Sequence, residues 1–251
     1  LGANRVSFNF ADLLDANWRR ITGHFSAKAP AEAVLGSNLG ASLSSVFGQT
    51  FRPIATPLAF GGFSRSTIDA FAPDLMQAGM LSVATVGGSS EINFKKPTAS
   101  TLLGGDSIVV ELARGDLSVS AAGTVTLRDG EKIYAFGHPY FSLGSVDLPM
   151  SESHVVTVVP NLNNSFKLAV PDSAVGTLTQ DRATGIYGIL GRPPTMLPIE
   201  VHVRTSRGRD ETVKFETVID DFLSPLLLNS GLMNTIQGNE RTIGDTTIDI
   251  K

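Results

Sequence analysis

The sequence predicts a mainly β protein, built as an antiparallel β-barrel with a small α/β element before it and a helix after it. Between residues 106 and 221, short apolar segments are separated by turn residues roughly every 8–12 positions, which is typical of an all-β barrel or sandwich. Helix-spaced apolar residues occur in segments outside that region. With 42% hydrophobic and 18% charged residues, the chain is expected to be folded and globular.

Residues 1–50 are predicted to be a helix followed by an irregular linker. Leu14, Trp18 and Ile21 have helical spacing, so they form the apolar stripe of a short helix over Asp12–Ile21. Residues 23–50 are rich in glycine, alanine and serine and show little periodicity, which favours an irregular connection.

Residues 51–105 are predicted to be a small α/β element. Its first strand is Phe51–Phe60, and its two prolines indicate a sheet edge or an irregular ladder, because proline cannot donate to a ladder. The next helix has Ser66 as its N-cap and its end at Gly79, and Pro73 is expected to kink it or to split it into two turns. The strand Leu81–Val86 follows.

The predicted β-barrel domain covers residues 106–221. Asp129-Gly130 is expected at the tip of a tight hairpin, because glycine accepts the positive φ that such turns require. The predicted strands are Ser107–Ala113, Leu117–Leu127, Ile133–Phe136, His154–Val159, Ser165–Val170, Ala174–Thr179, Ile186–Leu190, Ile199–Thr205 and Glu211–Ile219.

Residues 222–251 are predicted to form a C-terminal helix and a short strand. Ser224 is expected to cap the helix, Pro225 fits its first position and Gly238 its end. Thr246–Ile250 is the predicted strand.

Composition excludes several classes of function. The net charge of −4 and the absence of a basic cluster argue against nucleic-acid binding. No apolar run approaches the roughly 18 residues that cross a bilayer. The chain contains no cysteine, which excludes disulfides and thiol catalysis and is compatible with an extracytoplasmic location. It begins at Leu1 without a signal-peptide pattern, so we expect a processed or trimmed piece of a longer protein.

His138 is the candidate catalytic residue. It lies in the loop Ala135–Phe141, where the predicted hairpin ends between a glycine and a proline. Histidine titrates near neutral pH, so it can serve as a general base there. The alternative is a structural histidine that is hydrogen-bonded within a tight turn.

The other candidate residues form no complete catalytic or metal-binding motif. His24, His154 and His202 are too scattered for a local metal site, although a site assembled from distant segments stays open, and no cofactor is expected. His202 is expected on a solvated strand face. His154 lies at the start of a strand, and the sequence does not assign it a role. Gly61–Ser64 could imitate a nucleophile turn, but a strand-to-helix connection is the favoured interpretation.

Three segments resemble the SpoIVB-type serine peptidase family. Ala121–Thr126 leads into Ala135–His138, as the family's Gly-x-Gly-Thr-x-Thr strand leads into Gly-His, with Ala121 in place of the first glycine. Val175–Leu178 with Thr184–Gly191 is similar to its paired glycine segments, and Leu197–Val201 is the third match. Together they cover residues 107–219, a little under half the chain.

The resemblance implies a bacterial, extracytoplasmic serine endopeptidase of the chymotrypsin-like class, built on two β-barrels, with His138 as general base. The family's Gly-Met-Ser-Gly-Ser-Pro nucleophile segment and its preceding Asp are absent. We therefore expect the catalytic serine and Asp outside this sequence, before Leu1, and the chain alone to be inactive. Asp147 and Asp181 are the acidic candidates for orienting His138 from within the chain, although each also fits a strand-end or surface carboxylate.

The implied partner is the rest of the precursor or a second chain that carries the nucleophile, and the substrate is a polypeptide. We expect Leu1, or the segment before it, to lie beside that partner. The alternative function is a non-catalytic β-domain that acts as a binding or assembly module.

Overall fold

The computed structural model describes residues 55–77, 79–85, 92–160, 165–204, 208 and 210–239. The predicted helix Asp12–Ile21, the linker after it, the environment of Leu1 and the strand Thr246–Ile250 lie outside the described residues. The elements below all belong to one compact unit, Thr56–Ile248.

The mainly β character of the chain is confirmed. The described part contains ten strands and two helices. In chain order they are β1 (Thr56–Gly61), α1 (Arg65–Gln77), β2 (Met80–Ala84), β3 (Ser107–Gly115), β4 (Ser118–Asp129), β5 (Lys132–Ala135), β6 (Gly144–Val159), β7 (Phe166–Arg182), β8 (Gly185–Leu190), β9 (Met196–Arg204), β10 (Asp210–Val218) and α2 (Leu223–Asn239).

One sheet contains all ten strands, in the order β2-β1-β4-β5-β8-β7-β6-β3-β10-β9. Its strand pairs are antiparallel except for β1 and β2, which are parallel. β3 also pairs with β4, so the pairings of β3, β4, β5, β8, β7 and β6 return to their starting strand. We call these six strands the closed circuit.

β4 joins the closed circuit to the predicted α/β element. One edge of β4 pairs with β3, and the opposite edge pairs first with β1 and then with β5. β1 and β2 therefore extend the same sheet.

The predicted turn at Asp129-Gly130 is confirmed, since Asp129 pairs with Lys132 and Gly130 has a φ of 61°.

The core has two parts. Apolar side chains on the circuit strands are fully buried, among them Ile108, Val110, Ile133, Met150 and Leu178. A second apolar cluster lies where the two helices meet β1, β2 and β3, and it contains Leu58, Phe71, Leu75, Met80, Leu112, Leu223 and Leu227. Burial of these side chains is the main stabilising contribution to the fold.

Two strands are longer than the sequence predicts. β6 begins at Gly144 instead of His154, and β7 runs without a break through Pro171, where two strands were expected. The β6–β7 ladder shifts register between Ser151 and Ser153, and Ser153 is the residue opposite Pro171. A proline is tolerated where the ladder is already irregular, so it bends the strand here without ending it.

The helix caps also differ from the prediction. Ser64, rather than Ser66, caps α1, because its Oγ accepts the Thr67 N–H at 3.2 Å. The helix then continues through Pro73 as one element. At α2 the Asp220 carboxylate accepts the N–H groups of Phe222 and Leu223, while the predicted cap Ser224 donates its hydroxyl to the Val218 carbonyl. An aspartate before the first turn provides the stronger cap because it carries charge to the helix N-terminus.

The β6–β7 arm, residues 153–159 and 166–171, continues past the closed circuit. Its strand His154–Val158 pairs with β7 along one edge and with no described strand along the other. All five of these residues are exposed, and Val156 has 69% of its surface accessible.

None of the helices in the described ranges is long and apolar enough to cross a membrane.

Candidate functional site

The loop that carries His138 connects β5 to β6 and has an unusual backbone. Phe136 and Ser142 have positive φ angles of 72° and 60°, and the neighbouring Gly137 and Gly144 have φ angles of 74° and 81°. A non-glycine residue in this region costs roughly 1–3 kcal/mol and persists only where its surroundings enforce it. Two such residues in one short loop indicate that the fold holds the loop in a specific shape.

Asp181, near the end of β7, holds that shape. Its side chain is 1% exposed, and its carboxylate accepts three backbone N–H groups of the loop. The donors are Tyr140 at 2.7 Å to Oδ1, Phe141 at 2.7 Å to Oδ2 and Leu143 at 3.1 Å to Oδ2. A buried carboxylate that accepts several N–H bonds is well compensated for its lost hydration.

Packing also fixes the start of the loop. The ring of Phe136 lies against Gly123 of β4, where an added Cβ would approach ring atoms to about 2 Å. Phe136 also donates its N–H to the Thr124 carbonyl. The glycine of the Gly-Thr pair noted in the sequence therefore provides the space for this ring.

His138 lies on the exposed rim of the loop. Its Nδ1 is 2.8 Å from the Pro139 carbonyl oxygen, and its ring centre is 5.5 Å from that of Phe136. Because a carbonyl only accepts, this contact requires a proton on Nδ1. The lone pair is then on Nε2, which has no hydrogen-bond partner among the described residues. Such a ring can accept a proton from an incoming hydroxyl.

Neither acidic candidate binds the His138 ring. Asp181 contacts the loop backbone, as described above. Asp147 accepts the Thr195 N–H at 3.2 Å and lies 3.9 Å from the Arg192 guanidinium. Within the described ranges, no ion pair joins either carboxylate to His138. A carboxylate in direct contact with this imidazole would have to come from elsewhere.

Tyr140 forms the buried floor of the loop. Its ring stacks on Phe141 at 4.0 Å and meets Phe136 edge-on at 5.8 Å. Burial, followed by the negative charges of Asp181 and Glu111, raises the pKa of the Tyr140 hydroxyl well above its ordinary value. The phenol is therefore neutral near neutral pH.

Lys167 on the arm reaches the same region of β4. Its Nζ donates to the Gly123 carbonyl at 2.7 Å and to the Thr124 hydroxyl at 2.8 Å. Burial lowers the pKa of this ammonium from its ordinary value. Lys167 is paired opposite Val158, close to the tip of the β6–β7 arm, so the two bonds anchor that end of the arm to the strand that packs against Phe136.

The remaining candidates have local partners. His154 pairs with Asp172 at 3.2 Å, and His202 pairs with Glu200 at 3.2 Å. Both side chains are exposed, as predicted for His202. His24 lies outside the described residues. Among the residues that the structure describes, no group of three or more metal-ligating side chains occurs.

Ser64 has a structural role, which confirms the favoured interpretation of Gly61–Ser64 as a strand-to-helix connection. In addition to capping α1, Ser64 donates its N–H to the Asn234 side-chain oxygen at 2.7 Å, which ties the helix start to α2.

The sequence predicts that His138 lies in the loop after the hairpin, but it does not predict that Asp181 holds the backbone of that loop. The three groups that bind this carboxylate are backbone amides about 40 positions away in the chain, and no side-chain pattern reports them. No family model, no curated protein and no solved structure matches this chain.

Proposed function

We propose that this chain is the histidine-bearing part of a SpoIVB-type serine endopeptidase, with His138 as general base. The observation that supports this most directly is the exposed imidazole, with Nδ1 satisfied by the Pro139 carbonyl and the Nε2 lone pair accessible. The resemblance supplies the reaction class, and the closed circuit of six strands is compatible with a barrel of the chymotrypsin-like type.

In the proposed reaction, Nε2 takes the proton of a serine hydroxyl while the serine oxygen attacks the peptide carbonyl. The resulting imidazolium then protonates the leaving amine, and the cycle repeats with water to release the acyl group. The serine and its oxyanion-binding donors come from a polypeptide outside this sequence. A base without a nucleophile performs no acyl transfer, so residues 1–251 alone should be inactive.

The proposed setting follows from the same resemblance. The partner is the rest of the precursor or a separate chain with the nucleophile, and the substrate is a polypeptide in an extended conformation. The protein would act outside the bacterial cytoplasm. A chain without cysteine is compatible with that location, because it has no thiol that an oxidising environment could convert to a disulfide.

The test uses the full precursor polypeptide and measures cleavage of a fluorescent protein substrate and labelling of serine by a fluorophosphonate. His138→Gln should lower kcat by roughly 10²–10⁴-fold, the usual contribution of a general base. It should change the free energy of unfolding by no more than about 0.5 kcal/mol, because the side chain is exposed. His202→Gln is the matched control, since it removes another exposed imidazole and should leave cleavage unchanged.

A His138→Gln variant that cleaves at the wild-type rate would end the catalytic assignment. A wild-type precursor that neither cleaves protein nor labels with fluorophosphonate would exclude the peptidase function itself.

An assembly module is the second candidate function, and the β6–β7 arm favours it. His154–Val158 presents a strand edge with three valines and no Lys, Arg, Asp or Glu, the residues that normally protect such an edge. A polypeptide strand could extend the sheet there. The two functions differ in outcome: loss of assembly on Val156→Lys with no effect of His138→Gln supports the module, and the reverse supports the peptidase.

A further inference from the structure

We propose that Asp181 is a positioning residue that fixes the tautomer and direction of the His138 imidazole through a single peptide unit. The inference rests on the proposed function of His138, but its decisive measurement does not require activity. It assigns to a carboxylate that touches no reacting atom the orienting task that an aspartate in direct contact performs in a catalytic triad.

The connection consists of two hydrogen bonds on opposite sides of the Pro139–Tyr140 peptide. The N–H of that peptide, from Tyr140, donates to Asp181 Oδ1 at 2.7 Å. The C=O of the same peptide, from Pro139, accepts from His138 Nδ1 at 2.8 Å. The described residues contain no cis peptide bond, so these two groups point in opposite directions from one plane. The direction of the carbonyl is therefore determined by the carboxylate behind it.

Charge strengthens this connection. A carboxylate on the N–H side polarises the peptide and makes its carbonyl a better acceptor, since hydrogen bonds in a chain reinforce one another. The stronger acceptor favours the tautomer that has its proton on Nδ1. The lone pair on Nε2 is then held towards solvent, which is where an external serine would have to approach.

The other two bonds of Asp181 keep the peptide from rotating. Oδ2 accepts from Phe141 and Leu143, so both carboxylate oxygens are used and the loop is held at three points. Asparagine has the same shape but only one acceptor oxygen, and its NH₂ group would face an N–H. Asp181→Asn therefore preserves packing but removes the negative charge behind the peptide, and it breaks either the bond to Tyr140 or the two bonds to Oδ2. In either orientation the Pro139 carbonyl becomes a weaker acceptor, because the peptide is no longer polarised by a carboxylate.

The experiment uses the precursor polypeptide of the cleavage assay with ¹⁵N-labelled histidine. Long-range ¹H–¹⁵N spectra distinguish the two neutral tautomers, and the spectrum of His138→Gln assigns the signals. In the wild-type protein, we expect His138 predominantly as the Nδ1–H tautomer. In Asp181→Asn we expect a shift to a mixture in which Nε2–H is substantial. Asp147→Asn is the matched control, a carboxylate bonded to a backbone N–H elsewhere, and should leave the tautomer unchanged.

Two results would overturn the proposal: a wild-type His138 that is mainly Nε2–H, or an Asp181→Asn protein that keeps the wild-type tautomer. If Asp181→Asn does not fold, the wild-type protein still decides. In wild-type protein labelled uniformly with ¹³C and ¹⁵N, a scalar coupling across the hydrogen bond from the Tyr140 amide to the Asp181 carboxylate carbon is expected, and its absence refutes the connection.

Kinetics separate this proposal from the proposed function. In an active precursor, Asp181→Asn should lower kcat in proportion to the fraction of His138 that leaves the Nδ1–H tautomer, by roughly two- to tenfold, with KM within about twofold. A wild-type protein with the expected tautomer but without cleavage would refute the peptidase function and leave the positioning role of Asp181 intact.

Discussion

At the scale of single residues, charge is buried where two strands need a fixed register. Arg114 of β3 is paired opposite Glu216 of β10, and the two side chains form an ion pair with 7% and 13% of their surfaces exposed. Burying two charges is costly, so such a pair contributes little net stability while intact. Removing one partner, however, leaves the other charge unpaired in a dry environment.

The first prediction tests this asymmetry. Glu216→Gln should lower the free energy of unfolding by about 3–5 kcal/mol, because Arg114 keeps its charge and loses its counterion. Chemical denaturation measures the change. The control is Asp69→Asn, which breaks the exposed pair with Arg65 on α1 and should cost no more than about 1 kcal/mol. Equal losses in the two variants would contradict the importance of burial.

The position of His138 could be predicted from the sequence, whereas the burial of Asp181 could not. The exposed position of His138 after a strand follows from local turn chemistry, so the pattern Gly-His-Pro was sufficient to find it. Asp181 has no such signature, because an aspartate near a strand end is usually a surface residue. Its burial depends on the loop from Tyr140 to Leu143, which reaches it only in the folded chain.

At the scale of elements, glycine determines how closely β6, β7 and β8 approach. A Cβ at Gly176 would lie 2.3 Å from the Met150 methyl and 2.5 Å from the Ile189 carbonyl oxygen. A Cβ at Gly188 would lie 2.7 Å from the Met150 sulfur. The paired glycine segments noted in the sequence thus provide room for one methionine between neighbouring strands.

The second prediction follows from that contact. Gly176→Ala should destabilise the protein by about 1–3 kcal/mol or more, since the methionine can move but the Ile189 backbone cannot move without disturbing the ladder. Thermal or chemical unfolding measures the loss. Gly104→Ala is the control: its added methyl would have only the Thr126 carbonyl oxygen nearby, at 3.4 Å, and should change stability by no more than about 0.5 kcal/mol. A wild-type stability for Gly176→Ala would show that the strands separate freely.

Element existence was predictable here, and element continuity was not. Alternation and turn residues located most of the strands to within a few positions. The sequence predicts two strands, Ser165–Val170 and Ala174–Thr179, but β7 is continuous and passes through Pro171 at a register shift. Register shifts depend on the neighbouring strand, so no pattern within β7 itself could have revealed this one.

At the scale of the whole molecule, the exposed edge of the β6–β7 arm should govern self-association. Five consecutive exposed residues with three valines form a template for pairing with another chain. The sequence identified His154–Val159 as a strand, but it could not show that one edge would be left without a neighbour, because that depends on the order of strands in the sheet.

The third prediction is that Val156→Lys reduces self-association of the chain. A lysine on this edge would place a charge where another strand must desolvate it, and the free energy of unfolding should change by no more than about 0.5 kcal/mol. Sedimentation velocity over a concentration series measures the effect. Ile219→Lys is the control, because it removes another exposed apolar side chain, 58% accessible, that lies outside the described strands. Identical behaviour of the two variants would show that general hydrophobicity, and not the strand edge, drives association.

The closed circuit has a consequence for how the chain reaches its folded state. The pairs that complete it are distant in sequence: Val110 meets Met150 and Ile133 meets Gly188, while Ala113 must also find Thr217 to add β10. Loop-closure entropy is lost before these contacts stabilise anything, so proteins of this kind fold slowly, on a timescale of roughly milliseconds to seconds. Throughout that interval the edges of β3 and β6 that pair with each other in the folded protein are also exposed. The speed at which the closed circuit forms should therefore affect the yield of soluble protein.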